Sequence, residues 1–365
     1  MLQNGFQPKA DEPPAQIITE NKIGIVEDIL VVRQHNQIGD MLCSLTLYAA
    51  LKKKYPGSRI TLVAAKTNYE IPFSKINPFL DRVLILDRST IKKTIGFYKE
   101  LRNTKYQIGI VPSTIKVSRT SHIINFLSGA KTRVGVKAID GVKNPSNHFL
   151  NIKSDFKWKG THQLERNLDI VKQIGCNFTE EEKNSLMFQF SNDEVNEAKK
   201  FIKENFPAES KKIIGFHPGA GKAENMWETK RFIGLIKNVY NKFHNYVLLT
   251  SGWTDDATIS EVKTELKNSG IDYKVLHNHP VKKLGAILSL IDLYITNDTG
   301  TMHIAGFSGA KIISLFGPTN PKEWAPEGIN QLYVKSKTNN INDITVDDVC
   351  HKAESFLAKI NGDKK

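Results

Sequence analysis

Three turns, each read as leading from a strand into a helix, gather the residues able to do chemistry. The first, Arg33-Gln34-His35-Asn36-Gln37-Ile38-Gly39-Asp40, ends on a glycine that lets strand and helix approach closely and an aspartate at the helix start. A helix N-terminus favours an ionised carboxylate, so Asp40 could accept a proton from an incoming hydroxyl. On local sequence alone a helix cap is the stronger reading, since aspartate is a preferred cap residue. The second turn, His217-Pro218-Gly219-Ala220-Gly221-Lys222, could bring backbone amides of Gly219 and Gly221 to a phosphate, with Lys222 as a point charge. It matches neither the Walker nor the dinucleotide spacing, and a tight turn with an exposed lysine explains it as well. The third is Thr296-Asn297-Asp298-Thr299-Gly300-Thr301-Met302-His303. Amides of Thr299, Gly300 and Thr301 at a helix start suit a diphosphate, whereas Asp298 would repel one and is better placed to accept hydrogen bonds from sugar hydroxyls. An N-cap for Asp298 and a satisfied helix histidine for His303 are the plainer alternatives.

Short apolar runs alternating with helical periodicity must position these turns, a pattern that builds parallel sheets covered by helices. Strands are predicted at 29–33, 59–64, 82–86, 107–111 and 133–136, with one amphipathic helix over 40–54. A second series follows at 212–217, 246–251, 273–276, 292–296 and 311–316, with helices near 228–242, 255–268, 281–290 and 300–308. The acidic, polar stretch 178–185, followed by Ser191 as a helix N-cap, marks the boundary. The expected organisation is a loose N-terminal extension (1–24), an α/β domain (25–185), a second α/β domain (186–342) and a C-terminal packing helix and tail (343–365). Two open sheets in one chain place a ligand cleft between them, because open α/β sheets bind at the carboxyl ends of their strands.

At 365 residues, 40% hydrophobic and 24% charged, the chain has ordinary globular composition and length for about two domains. Cys43, Cys176 and Cys350 are too few and too widely spaced for a disulfide framework or zinc knuckle and read as core thiols. His277 and His279 lack a third metal ligand, so no metal is expected. No apolar run has membrane-spanning length, and the first 24 residues lack the basic start and apolar core of a secretory signal, so a cytoplasmic location is expected. Residues 51–150 hold 19 Lys and Arg against 5 Asp and Glu, while the rest hold 32 against 33. A local excess of one sign attracts anionic partners, be they phosphorylated substrate, phospholipid or nucleic acid, although a solvated lysine-rich face competes with all three.

Taken in order and spacing, the three motifs resemble glycosyltransferase family 9, the heptosyltransferases of lipopolysaccharide core assembly, over roughly residues 28–330. The match lies in Ile29-Leu30-Val31-Val32-Arg33 leading to Ile38-Gly39-Asp40, in His217-Pro218-Gly219-Ala220-Gly221 with Trp227, and above all in Asn297-Asp298-Thr299-Gly300-Thr301-Met302-His303 with Phe316-Gly317-Pro318-Thr319-Asn320-Pro321. The resemblance implies a GT-B architecture, two Rossmann-like domains facing across a cleft, and an inverting, metal-independent transfer with no cofactor. It implies Asp40 as general base, Thr299, Gly300 and Thr301 on the diphosphate and Asp298 on the sugar, with ADP-heptose the best known donor; Gly219, Lys222 and His303 join them as donor-side candidates. The family often carries a lysine two residues before the tryptophan, neutralising the leaving diphosphate; this chain has Asn225, and Lys222 is the candidate substitute.

Loops bearing Lys66, Lys116 and Arg119 would then line the acceptor side, Lys116 and Arg119 first among them. There they would face an anionic glycolipid or glycan acceptor, with peripheral contact at the inner membrane surface. A nucleotide-sugar epimerase or hydrolase, and a non-catalytic nucleotide-sugar-binding protein suggested by Asn225, are the alternatives. Nucleic acid is not expected as a partner, since no fingerprint with stacking aromatics is present.

Overall fold

A computed structural model describes residues 23–362 apart from Tyr69 and Ile329, and side chains only as far as residue 358. The expected extension 1–24 falls, but for Ile23 and Gly24, outside the described residues.

The first sheet contains β1 (Asp28–Val32), β2 (Arg59–Ala65), β3 (Arg82–Leu86), β4 (Ile108–Ile110), β5 (Thr132–Ile139), β6 (Val142–Lys143) and β7 (Ile152–Phe156). Its order is β3-β2-β1-β4-β5, with β7 parallel to β5 and the two-residue β6 folded back antiparallel on it. The second sheet contains β8 (Ile213–His217), β9 (Tyr246–Ser251), β10 (Tyr273–His277), β11 (Leu293–Asn297), β12 (Ile312–Phe316) and β13 (Gln331–Lys335), in the all-parallel order β10-β9-β8-β11-β12-β13. Burial on both faces explains why β1, β8, β11 and β12 read as mainly apolar runs without alternation.

In each sheet the strand order reverses beside the first strand, between β1 and β4 and between β8 and β11. Such switch points open a crevice at the carboxyl ends of the strands. All three sequence turns emerge there, after β1, β8 and β11.

The amphipathic segment predicted over 40–54 is two helices, Ile38–Cys43 and Leu45–Lys54. Ser44 causes the break. Its amide bonds Met41 O at 3.2 Å, a tighter turn than the α-helix, and its hydroxyl donates to the same carbonyl at 2.7 Å. The first helix therefore ends after six residues and is free to point its start at the other sheet. Met41, Leu42 and Leu47 share one apolar cluster with Met302, Ile304 and Ala305, so a continuous core joins the two halves of the chain. Ser191 caps the helix Asn192–Asn205 as predicted, with Glu194 completing the capping box. The three cysteines are buried free thiols, and burial pushes Cys176 up to about 12.

Candidate active site

The turn after β1 carries a buried ion pair. Arg33 Nη2 donates to Asp40 Oδ1 at 3.0 Å, with side chains only 7% and 16% exposed. Arg33 Nη1 is held in turn by Asn167 Oδ1 at 3.1 Å, and Asn167 donates to Cys43 O and Gln163 O. The carboxylate is thus oriented by a guanidinium that is itself fixed from the helix Gln163–Lys172. Gln37 holds the cap position of the helix Ile38–Cys43 and Asp40 is its third residue, so the cap reading of Asp40 does not apply.

Asp40 and Arg33 line a cavity of about 130 Å³ together with Gln34, His35, Ser113, Thr114, Lys116 and Ser118. Of these residues, Arg33 Nε and Gln34 Nε2 are buried and meet no partner among the described residues, which is costly for a donor. Lys116 stands on its rim; Arg119, exposed at the start of the helix Arg119–Leu127, is not among the lining residues, and Lys66 pairs with Asp87 at 3.2 Å instead.

The turn after β11 is pinned by Asn297, which is fully buried. Its Nδ2 donates to Pro218 O and Gly219 O at 3.0 Å each, and its Oδ1 accepts from the Trp227 amide at 3.3 Å, so one side chain ties the second and third motifs together. The helix Gly300–Phe307 starts from Thr299, which makes no side-chain cap, and the amides of Thr299, Gly300 and Thr301 have no acceptor among the described residues. The Thr301 hydroxyl meets Thr296 Oγ1 at 3.3 Å, which leaves its amide as the group it offers.

Asp298 is not a cap either. Asn225 Nδ2 donates to its carboxylate at 3.0 Å and its carbonyl at 3.2 Å. Burial raises the Asp298 carboxyl, opposed by the Thr319 hydroxyl and the charge of Lys222. The position at which relatives often place a lysine is therefore occupied by a neutral amide serving this aspartate. Lys222 remains exposed nearby.

Gly219 also meets a packing constraint that its sequence does not show. An added Cβ would lie 2.2 Å from Asp255 Cγ, so the space over this glycine belongs to a carboxylate that also accepts from Gly252 N at 2.6 Å and faces His217 Nε2 at 3.7 Å. The sequence motif contains Asn297 without giving it a role, and it carries no sign of Asp255.

The two half-sites meet. A Cβ on Gly39 would fall 2.8 Å from His303 Cδ2, and one on Gly300 would fall 3.5 Å from Ile38 Cβ, so the starts of the helices Ile38–Cys43 and Gly300–Phe307 abut. Asp40 and the Thr299–Thr301 amides are accordingly carried by two helix starts in contact with each other. His303 sits at this seam, buried, with Nδ1 3.8 Å from Cys43 Sγ; burial takes it down to about 3, so it is neutral at pH 7 and offers no charge to a diphosphate. Arg166 Nη2 to Glu323 Oε2 at 2.7 Å and His162 Nε2 to Ala325 O at 3.0 Å tie the lobes further along.

Two Rossmann-like lobes whose switch-point loops face each other define the GT-B architecture. The pattern of glycosyltransferase family 9 (heptosyltransferase) matches residues 95–353, and the chain belongs to that family. Lipooligosaccharide heptosyltransferase 2 of Campylobacter jejuni is 32% identical over 119 residues, an alignment spanning 32% of this chain and only 37% of that relative. Lipopolysaccharide heptosyltransferase 3 of Escherichia coli is 21% identical over 80% of this chain and 85% of its own length. The solved structure of E. coli ADP-heptose lps heptosyltransferase II has the same fold, with a TM-score of 0.71 at 19% identity over 92% of this chain and 99% of that one.

Proposed function

We propose that this chain is an inverting, metal-independent glycosyltransferase. It moves heptose or a related sugar from a nucleoside-diphosphate donor, ADP-heptose first among the candidates, to an anionic lipopolysaccharide core or other surface glycan. The observation that supports the reading is the abutment of the helix start that carries Asp40, oriented by Arg33, on the helix start that carries Thr299, Gly300 and Thr301, whose amides have no acceptor among the described residues. The names of the E. coli relatives support the choice of donor and acceptor.

In this mechanism Asp40 takes the proton of the acceptor hydroxyl as its oxygen bonds to the anomeric carbon. The bond from that carbon to the diphosphate oxygen breaks on the opposite face, and the departing electron pair is stabilised by the helix-start amides and Lys222. Gly219 packs the second motif, and Asp298 accepts from sugar hydroxyls. Lys116, with Arg119 farther out, receives the acceptor's acidic groups. Residues 25–185 form the acceptor lobe and 186–342 the donor lobe, with 343–365 as a packing helix and tail. The enzyme works in the cytoplasm, peripherally at the inner membrane.

Asn225 favours one competing reading, a protein that binds a nucleotide sugar without turning it over. A thermal-shift panel of ADP-, GDP- and UDP-sugars, followed by product analysis with a core oligosaccharide acceptor, decides between them. An ADP-heptose shift with transfer supports the proposal; a shift with no product on any acceptor supports the binding protein; free sugar or an epimer without acceptor overturns both.

A further inference from the structure

Helix Ile91–Arg102 follows β3 and carries an outer face that the fold leaves uncovered. Phe97 and Leu101 are buried against the first sheet, while Ile91 and Ile95, one turn apart, are 81% and 63% exposed. Neither the site chemistry nor the core uses them. Single exposed apolar residues are ordinary, but a same-face isoleucine pair set among lysines is the pattern of a helix lying in a membrane interface.

Residues 88–99 contain Arg88, Lys92, Lys93 and Lys99 and no acidic residue. Lys93 pairs with Asp87 at 2.9 Å, whereas Arg88, Lys92 and Lys99 are exposed and form no ion pair among the described residues. Topology places the start of this helix on the sheet edge that bears the site, two strands from β1. It begins after the carboxyl end of β3, and in a parallel sheet that is the same edge from which the Arg33–Asp40 turn leaves β1 and the Lys116 loop leaves β4. At the cavity rim exposed Ile115 beside Lys116 repeats the pairing of an apolar with a basic side chain.

We propose that the outer face of this helix, Ile91 and Ile95 flanked by Arg88, Lys92 and Lys99, docks on an anionic lipid bilayer. The inference rests on the reading above only for its purpose: a bilayer at this edge presents a lipid-anchored acceptor to Asp40. The isoleucines enter the interface and the cations meet lipid phosphates. Charges near an anionic surface each contribute about fivefold to partitioning, and loss of two inserted isoleucines costs more than tenfold.

The test is co-sedimentation of the full chain with vesicles of phosphatidylcholine containing 30% phosphatidylglycerol, and with pure phosphatidylcholine. The wild type is expected to partition onto the anionic vesicles and to be released by 0.5 M salt. Ile91→Ser/Ile95→Ser should lose at least about tenfold, Lys92→Gln/Lys99→Gln about 25-fold, and Trp253→Ser, exposed on the other lobe, nothing. Absence of wild-type binding, equal binding by the helix variants, or an equal loss in Trp253→Ser overturns the proposal. Thermal shift by ADP-sugars is read in parallel on every variant. A preserved shift with lost sedimentation places the defect in docking, and sedimentation without any nucleotide-sugar shift refutes the transferase reading alone.

Discussion

Gly39→Ala tests the seam on which the two half-sites depend. The added methyl would stand 2.8 Å from His303 Cδ2 and 3.0 Å from Nε2, where carbon atoms normally approach to no less than about 3.5 Å. The helices must therefore separate by about 0.7 Å or His303 must leave its place. His303 is buried between Cys43 and the Trp324 ring, so it has little room to swing. Overpacking of this kind costs about 1–3 kcal/mol. Since Asp40 is the next residue, the same displacement moves the base away from the Thr299–Thr301 amides, and a misplacement of about 1 Å in a reacting pair costs about 10²-fold. Gly39→Ala should lower the melting temperature and cut kcat by about 10- to 100-fold with little change in donor Kd by calorimetry. Gly39→Ala/His303→Ala should recover turnover relative to Gly39→Ala, with a coupling of at least about 1 kcal/mol. Full turnover in Gly39→Ala, or strictly additive losses in the double variant, would refute the reasoning.

Other consequences follow from the same geometry. His303 titrates near 6.5 when unfolded and about 3 when folded, so the unfolded state binds the extra proton and stability falls as pH drops from 6.5 towards 3, by about 4 kcal/mol in all. Thermal melts between pH 7.5 and 4.5 should show this slope, flattened in His303→Gln. Lys222→Ala should weaken donor binding about five- to tenfold by calorimetry if it stands in for the cation missing at Asn225; an unchanged Kd removes it from the donor site. Gly219→Ala drives a methyl into the Asp255 carboxylate and should cost about 2–4 kcal/mol in denaturant unfolding.

Periodicity made ten strands legible because buried parallel strands are nearly uniformly apolar. The three that escaped notice lie towards the far edges. β6 is two exposed residues, β7 (Ile-Lys-Ser-Asp-Phe) hides an inward alternation among charges, and β13 is at best half-buried. Ser44 read as an ordinary helix residue, since nothing local shows that its amide would bond three residues back.

At the site, residue types were legible and partners were not. Asp40 stood out by its place before a helix, but its hold by Arg33 depends on Asn167, 134 residues from Arg33 in sequence. His303 matched a motif, yet its burial against Gly39 exists only once the lobes meet. Asn225 read as a loss, whereas the structure gives its amide to Asp298. Contacts between separate loops are set by packing, which a single sequence does not display.

Single-turnover transfer by Asp40→Asn, with donor affinity measured on the same preparation, bears most directly on the central claim. A base that touches only the acceptor hydroxyl predicts a fall of about 10²–10⁴-fold in the rate of the chemical step with donor Kd unchanged. Transfer at the wild-type rate would contradict the account.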